Sequence, residues 1–363
     1  MLPYFALLFI PLFYHLYSTR GIVQISTPQA MKYRRITILL FFSIFFCILA
    51  FRGITCGVDL KNYQYYYNLD AKKSIAKILN ENKQEVLFHI FNYLVASIHN
   101  DYQFYLALIA LICVIPYTVF FIQESDHPYM SLVLFVTVAP FSMFFSGLRQ
   151  SMAMALVPIA YYFCKKNKLV FFVLTVAVAM GFHQSAFILF LMYPIERAKI
   201  TKKWLYFVVP LMLIVLLFNQ RLYTILVPLT GDRYYERYGE ATSTGAYTIV
   251  LLLFAFTLVS VIFPDSNKMD EKTIGIRNLL LLCTTLQCFA PANFVAMRMN
   301  YYFLPFVAIC IPNVLTRSKE RYKQVAVFFS VALVVALMAY YFFNAYNGSD
   351  TLNIYPYVPY WKA

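Results

Sequence analysis

Arg149 stands in the short turn Gly147-Leu148-Arg149-Gln150, between two apolar stretches and with no acidic residue within five positions. An arginine at the end of an apolar helix is costly unless something anionic meets it, so it marks a candidate site. Two further polar turns share this character, Gly181-Phe182-His183-Gln184-Ser185 and Ala296-Met297-Arg298-Met299-Asn300. Guanidinium groups make charge-assisted, bidentate hydrogen bonds to phosphate oxygens, so Arg149 and Arg298 suit a phosphate or diphosphate, with Gln150 beside the first. Arg52, Arg221, Arg233 and Arg237 sit in ordinary polar loops and are less specific candidates, Arg52 first among them. Histidine titrates near neutrality, so His183 can act as a general base. The competing base is Asp59, in Arg52-Gly53-Ile54-Thr55-Cys56-Gly57-Val58-Asp59, where a carboxylate could activate a hydroxyl.

Each reading has a plainer alternative. Arg149 could form a structural salt bridge to Asp59, Asp232 or Glu236, and Asp59 could pair with Arg52. His183 could be a satisfied hydrogen-bonding residue, and His15 and His89, in apolar stretches, read as packed or interfacial. No metal-ligand spacing, Gly-rich phosphate loop or Walker motif occurs, so neither a metal nor a cofactor is expected.

The elements that must position these residues are apolar helices. The 363 residues are 61% hydrophobic and 13% charged, about half the charged fraction of a soluble domain. Apolar runs of roughly 15 to 20 residues recur, close to the length that crosses a hydrocarbon core. The expected fold is all-α and polytopic, one transmembrane domain over residues 1–363. Twelve crossing helices are expected near 2–17, 36–51, 104–122, 131–146, 151–164, 169–182, 186–195, 204–218, 246–263, 275–292, 299–315 and 325–343. The run from Leu2 lacks a basic n-region and a cleavage site and reads as a retained helix. Seven cysteines offer no C-x-x-C pair and no disulfide framework.

The net charge of +14 does not point to nucleic acid, because most Lys and Arg fall in short loops. Four basic loops contain Arg20, Lys32, Arg34 and Arg35; Lys165, Lys166 and Lys168; Arg197, Lys199, Lys202 and Lys203; and Arg317, Lys319, Arg321 and Lys323. Threading the crossings puts all four on one side, which the positive-inside rule makes cytoplasmic. This requires Glu85–Gln103 to lie at the outer interface as an amphipathic helix rather than cross. The outer face then receives the loop 52–103, the loop 219–245, the tail 344–363 and all three isolated polar turns. Those outer segments are rich in tyrosine, including Tyr63, Tyr65, Tyr66 and Tyr67, Tyr234, Tyr235 and Tyr238, and Tyr355, Tyr357 and Tyr360. The rings could form an interfacial belt. They could equally bind sugar, stacking on a pyranose face while the hydroxyl adds a hydrogen bond, with Tyr63, Tyr66, Tyr234, Tyr235 and Tyr238 as candidates.

With those residues in place, the chain resembles the EpsG/Wzy group of bacterial polysaccharide polymerases. The likeness rests on Arg52 with Gly57-Val58-Asp59 and Tyr63, on Gly147-Leu148-Arg149-Gln150 with Ala153, on Phe182-His183-Gln184-Ser185-Ala186, and more loosely on Arg298 with Tyr301, Tyr302 and Phe303. It covers about residues 50–310; Gly57-Val58-Asp59 departs from a more typical Gly-Thr-Asp, which leaves the carboxylate but no hydroxyl at position 58. The resemblance implies a GT-C-like glycosyltransferase of the bacterial inner membrane, with periplasmic juxtamembrane helices and an active periplasmic face. Its substrates would be undecaprenyl-diphosphate-linked oligosaccharides, and its partners membrane lipid and a chain-length regulator. The arginines would stabilise the diphosphate leaving group, and direct displacement would invert the donor's anomeric configuration. A flippase or transporter of lipid-linked oligosaccharide is the competing class, although neither a repeat between halves nor charges near helix midpoints is evident. An O-antigen ligase is the nearer alternative.

Overall fold

A computed structural model describes residues 1–19, 28–81, 84–138, 140–198, 200, 202–226, 245–292, 294–348 and 352–362. The described residues are helices joined by short turns, with two isolated β-bridges. They divide into two compact units, 1–187 with 331–363 and 188–330.

The first unit is built around α1 (Leu2–Thr19), α2 (Pro28–Ala50) and α6 (Tyr102–Glu124). The helices α2 and α6 each have 23 residues and are long and apolar enough to cross a membrane, as is the stretch Glu320–Tyr346. Asp101 starts α6 by accepting the Phe104 amide at 2.7 Å, satisfying a donor the helix itself leaves free. Between α2 and α6 lie three short helices, α3 (Leu60–Asp70), α4 (Ile75–Glu81) and α5 (Val86–Ile98). Beyond α6 come α7 (Pro128–Thr137), α8 (Met143–Ser146), α9 (Leu148–Ala155), α10 (Val157–Lys165) and α11 (Leu169–Phe182).

Where one helix is expected over 151–164, the chain makes two, meeting at Leu156. Pro158 is the cause, since it has no N–H to donate four residues back and its ring crowds that carbonyl. The carbonyl concerned belongs to Met154, and it accepts the Tyr117 hydroxyl of α6 at 3.2 Å instead. The span expected at 131–146 is likewise divided, into α7 and α8.

Ion pairs locate one end of this unit. Lys165 lies 2.8 Å from Glu124, and Arg34 lies 3.6 Å from Asp126. Two of the basic loops therefore meet at the end where α2 begins and α6 and α10 finish. At the opposite end the tail is laid over the residues after α2: Gly53 donates to Val358 at 2.8 Å, Tyr360 to Phe51 at 2.9 Å and Val58 to Leu352 at 3.1 Å.

The second unit contains the helices Lys202–Leu217, Gly245–Ile262, Glu271–Gln287, Phe294–Asn300 and Leu304–Thr316. One of its ends is likewise marked by basic residues. Arg277 donates to the Ile200 carbonyl at 2.7 Å, and Arg317 lies 3.4 Å from Asp270 at the start of Glu271–Gln287.

Candidate functional site

Glu85 is the residue on which the site converges. It caps α5 in the left-handed conformation, at φ 54 and ψ 33. A non-glycine residue holds such a backbone only where its surroundings over-determine it. One carboxylate oxygen meets His183 Nδ1 and also accepts the Gln184 amide at 3.3 Å; the other accepts from Arg149 Nη1. Its side chain is 12% exposed. Burial works to raise the carboxyl's pKa, but the hydrogen bond and charge of His183, together with Arg149, outweigh it and hold the group below its ordinary value. An ionised carboxylate can only accept, so His183 carries its proton on Nδ1 and keeps Nε2 for chemistry.

Local sequence explains why both partners are there. Gly147 ends α8 and opens α9, which puts Arg149 in the first turn of a helix. That is the positive end of the helix dipole and a poor place for a cation, so the arginine gains from an adjacent acid. His183 follows the last residue of α11 in extended backbone, with its amide donating to Ala179 at 2.9 Å. The Gln184 amide opens the 3-10 helix Gln184–Leu191 and gives Glu85 a donor from a helix start. Gly181 lets α5 approach: a Cβ there would lie 2.5 Å from Leu87 Cδ1.

The rival base, Asp59, lies in the same neighbourhood. It precedes α3, and Ser146 donates to its Oδ2 at 3.1 Å while its amide donates to Ser146 Oγ at 3.2 Å. Gly57 makes this turn possible: its φ is +139°, and a Cβ would lie 2.4 Å from the Phe145 carbonyl oxygen. Tyr63, one turn into α3, is buried beside Arg149, whose guanidinium carbon is 5.8 Å from the ring centroid. The structure thus gathers Asp59, Tyr63, Glu85, Arg149 and His183. Arg149 keeps 40% of its side chain exposed and His183 22%, so both remain reachable.

The other expected residues are placed differently. Gln150 is buried in α9. Arg52 is fully buried, donating to the Leu49 carbonyl at 2.8 Å, with its guanidinium 5.9 Å from the Phe145 ring. Tyr66 is 43% exposed and packs edge-on to Tyr65, whereas Tyr63 and Tyr67 turn inward. Arg298 belongs to the second unit, at the end away from its basic loops, as Asn300 bonds Gln287 at 2.8 Å at the far end of Glu271–Gln287. Tyr234, Tyr235 and Tyr238, with Asp232 and Glu236, lie outside the described residues.

Sequence reasoning missed Glu85. The salt bridge weighed as the plain reading of Arg149 exists, with an acid that reading did not consider. The signal available was an acidic residue just before the apolar helix Val86–Ile98, in a segment already assigned to the same face.

The fold and the site define a helical membrane-integral protein whose polar cluster combines an acid, a histidine and an arginine. The model of the EpsG family matches residues 35–359, nearly the whole chain, and the chain belongs to that family. No curated protein and no solved structure matches it. Membership points to a polysaccharide-polymerase-like function.

Proposed function

We propose that the chain is a polysaccharide repeat-unit polymerase of the bacterial inner membrane, with twelve crossings in a GT-C-like arrangement and its active face in the periplasm. It moves the growing glycan from undecaprenyl diphosphate to the terminal sugar of a lipid-linked repeat unit, with a chain-length regulator as partner. The observation that carries this reading is the single carboxylate of Glu85 joining His183 to Arg149.

In the reaction, the acceptor hydroxyl attacks the donor's anomeric carbon and the bond to the diphosphate oxygen breaks. His183 Nε2 takes the hydroxyl proton, and undecaprenyl diphosphate leaves with the bonding electrons. Glu85 fixes the histidine's tautomer and stabilises the imidazolium that forms. Arg149 spends one edge of its guanidinium on Glu85 and offers the rest to the diphosphate. Asp59 then orients the acceptor through its turn with Ser146, and Tyr66 offers a ring to sugar. Arg52 and Gln150, both buried, are assigned to the diphosphate on their sequence context. Arg298 is assigned to diphosphate on its sequence context alone.

The test is polymerisation by the purified protein on a synthetic undecaprenyl-diphosphate repeat unit. Chain growth with release of undecaprenyl diphosphate is expected, and its absence in an otherwise folded preparation would sink the reading. In cells, a deletion leaving a single repeat unit on lipid A indicates a lost polymerase. Complete absence of attached glycan would indicate a ligase, and accumulation on the cytoplasmic leaflet a flippase.

A further inference from the structure

Helix α5 bears a second histidine–carboxylate pair, one turn beyond the first. His89 and Asn92, three residues apart, share one face of α5, and both turn toward Asp70, the last residue of α3. Asp70 is 0% exposed, and its Oδ2 lies 2.7 Å from His89 Nδ1 and accepts from Asn92 Nδ2 at 2.9 Å. Lys73 Nζ stands 3.4 Å from the other oxygen. Asn92 passes the network to α6, its Oδ1 accepting the Tyr105 hydroxyl at 2.7 Å. His89 and Asn92 therefore face into the protein, while Leu94, Ser97 and Ile98 are exposed.

Burial works to raise the Asp70 carboxyl, but the hydrogen bonds from His89 and Asn92, with the charge of Lys73, hold it below its ordinary value. An ionised, buried carboxylate met by directional donors fixes more than an apolar contact does. Hydrophobic packing would hold α5 against α3 and tolerate rotation about its own axis; bonds to two side chains on one face do not. Rotation is what Glu85 depends on, because its left-handed backbone aims the carboxylate at His183 and Arg149 from the first residue before the helix.

We infer that Asp70, His89, Asn92 and Tyr105 form a positioning set that holds α5 in the one rotation where Glu85 reaches His183 and Arg149. None of the four touches His183. The catalytic half of this inference rests on the polymerase reading; the geometric half does not.

The experiment compares full-length wild-type protein with Asp70→Asn, Asp70→Glu, Tyr105→Phe and Glu85→Gln, in nanodiscs, by two readouts. The first is the imidazole spectrum of nitrogen-labelled histidines, in which the Nδ1 proton of His183 bound to a carboxylate resonates far downfield and is assigned by its loss in His183→Gln. Asp70→Asn should abolish or broaden that signal as Glu85→Gln does, and Tyr105→Phe, an isostere that removes one hydroxyl, should broaden it. The second readout is polymerisation kinetics. Asp70→Asn should lower kcat about 10- to 100-fold with KM changed less than about threefold, as expected for a misplaced catalytic group. Asp70→Glu should recover part of that loss. If the His183 signal is unchanged in both Asp70→Asn and Tyr105→Phe, the inference is overturned. Should Asp70→Asn fail to fold, Tyr105→Phe decides by the same signal. Wild-type protein that shows the signal and no polymerisation would overturn the function and leave the positioning standing.

Discussion

At the scale of single residues, the chemistry turns on Glu85 serving a histidine and a permanent cation, Arg149, at once. Replacing it with Gln keeps the shape but removes the charge that orders His183 and offsets Arg149. Turnover on a lipid-linked repeat unit should fall by about 10²- to 10⁴-fold, the range a positioned base contributes. Membrane-extracted protein of normal yield with unchanged turnover would remove Glu85 from the mechanism. The pH dependence follows from its carboxyl being held below the ordinary value of 4.5. A folded value below the unfolded one means the stabilisation is complete above the unfolded value and is lost as pH falls through the folded one. The wild type's melting-temperature advantage over Glu85→Gln should thus be complete above about pH 4.5 and shrink progressively as pH falls below it. Thermal scans of both proteins in detergent from pH 3 to pH 8 check this, and an advantage that does not shrink below about pH 4.5 contradicts it.

At the scale of elements, the site is a meeting of helix ends. It uses the start of α9, the end of α11, the start of α3 and the cap of α5. Gly181 sets the spacing between α5 and α11. Gly181→Ala would press on Leu87, whose Cδ1 and Cγ lie 2.5 Å and 2.6 Å from the added carbon. The expected cost is about 1–3 kcal/mol of stability by overpacking. Turnover should fall further than that loss explains, because α5 moves off with Glu85. Kinetics measured well below the variant's melting temperature separate the two effects. Pro158 accounts for the break at Leu156 where a single helix is expected, whereas no signal along the chain shows that His89 and Asn92 of α5 face inward. Sequence periodicity reports that a helix has two faces, and it cannot say whether water or a buried Asp70 waits beside the polar one.

At the scale of the molecule, the outward-facing side chains are those of a chain solvated by lipid. Leu2, Val170, Phe207, Leu217, Leu251 and Phe328 are each at least 68% exposed. Soluble proteins seldom expose apolar surface so widely. The protein should stay with the bilayer through alkaline carbonate washing and be released only by detergent; release by carbonate would contradict an integral membrane protein. Orientation has its own check. Tyr65 is 64% exposed on the helix that follows Asp59. A cysteine placed there should react with a membrane-impermeant maleimide from the periplasm, and labelling only after the inner membrane is opened would reverse the proposed topology.

The sequence by itself determined the class and the candidates. Apolar runs separated by basic loops make a membrane protein of helices, because backbone polar groups in lipid must be satisfied within the segment. The same patterning makes Arg149 and His183 conspicuous, as polar residues without a topological reason to be where they are. What the tertiary structure decided is their partner. Glu85 is 64 residues from Arg149 and 98 from His183, and no local pattern links them. Which carboxylate meets an arginine depends on which helix ends pack together and on the backbone turn that aims the side chain. Those are properties of the assembled bundle, so the arginine that looked isolated along the chain proved to be paired in space.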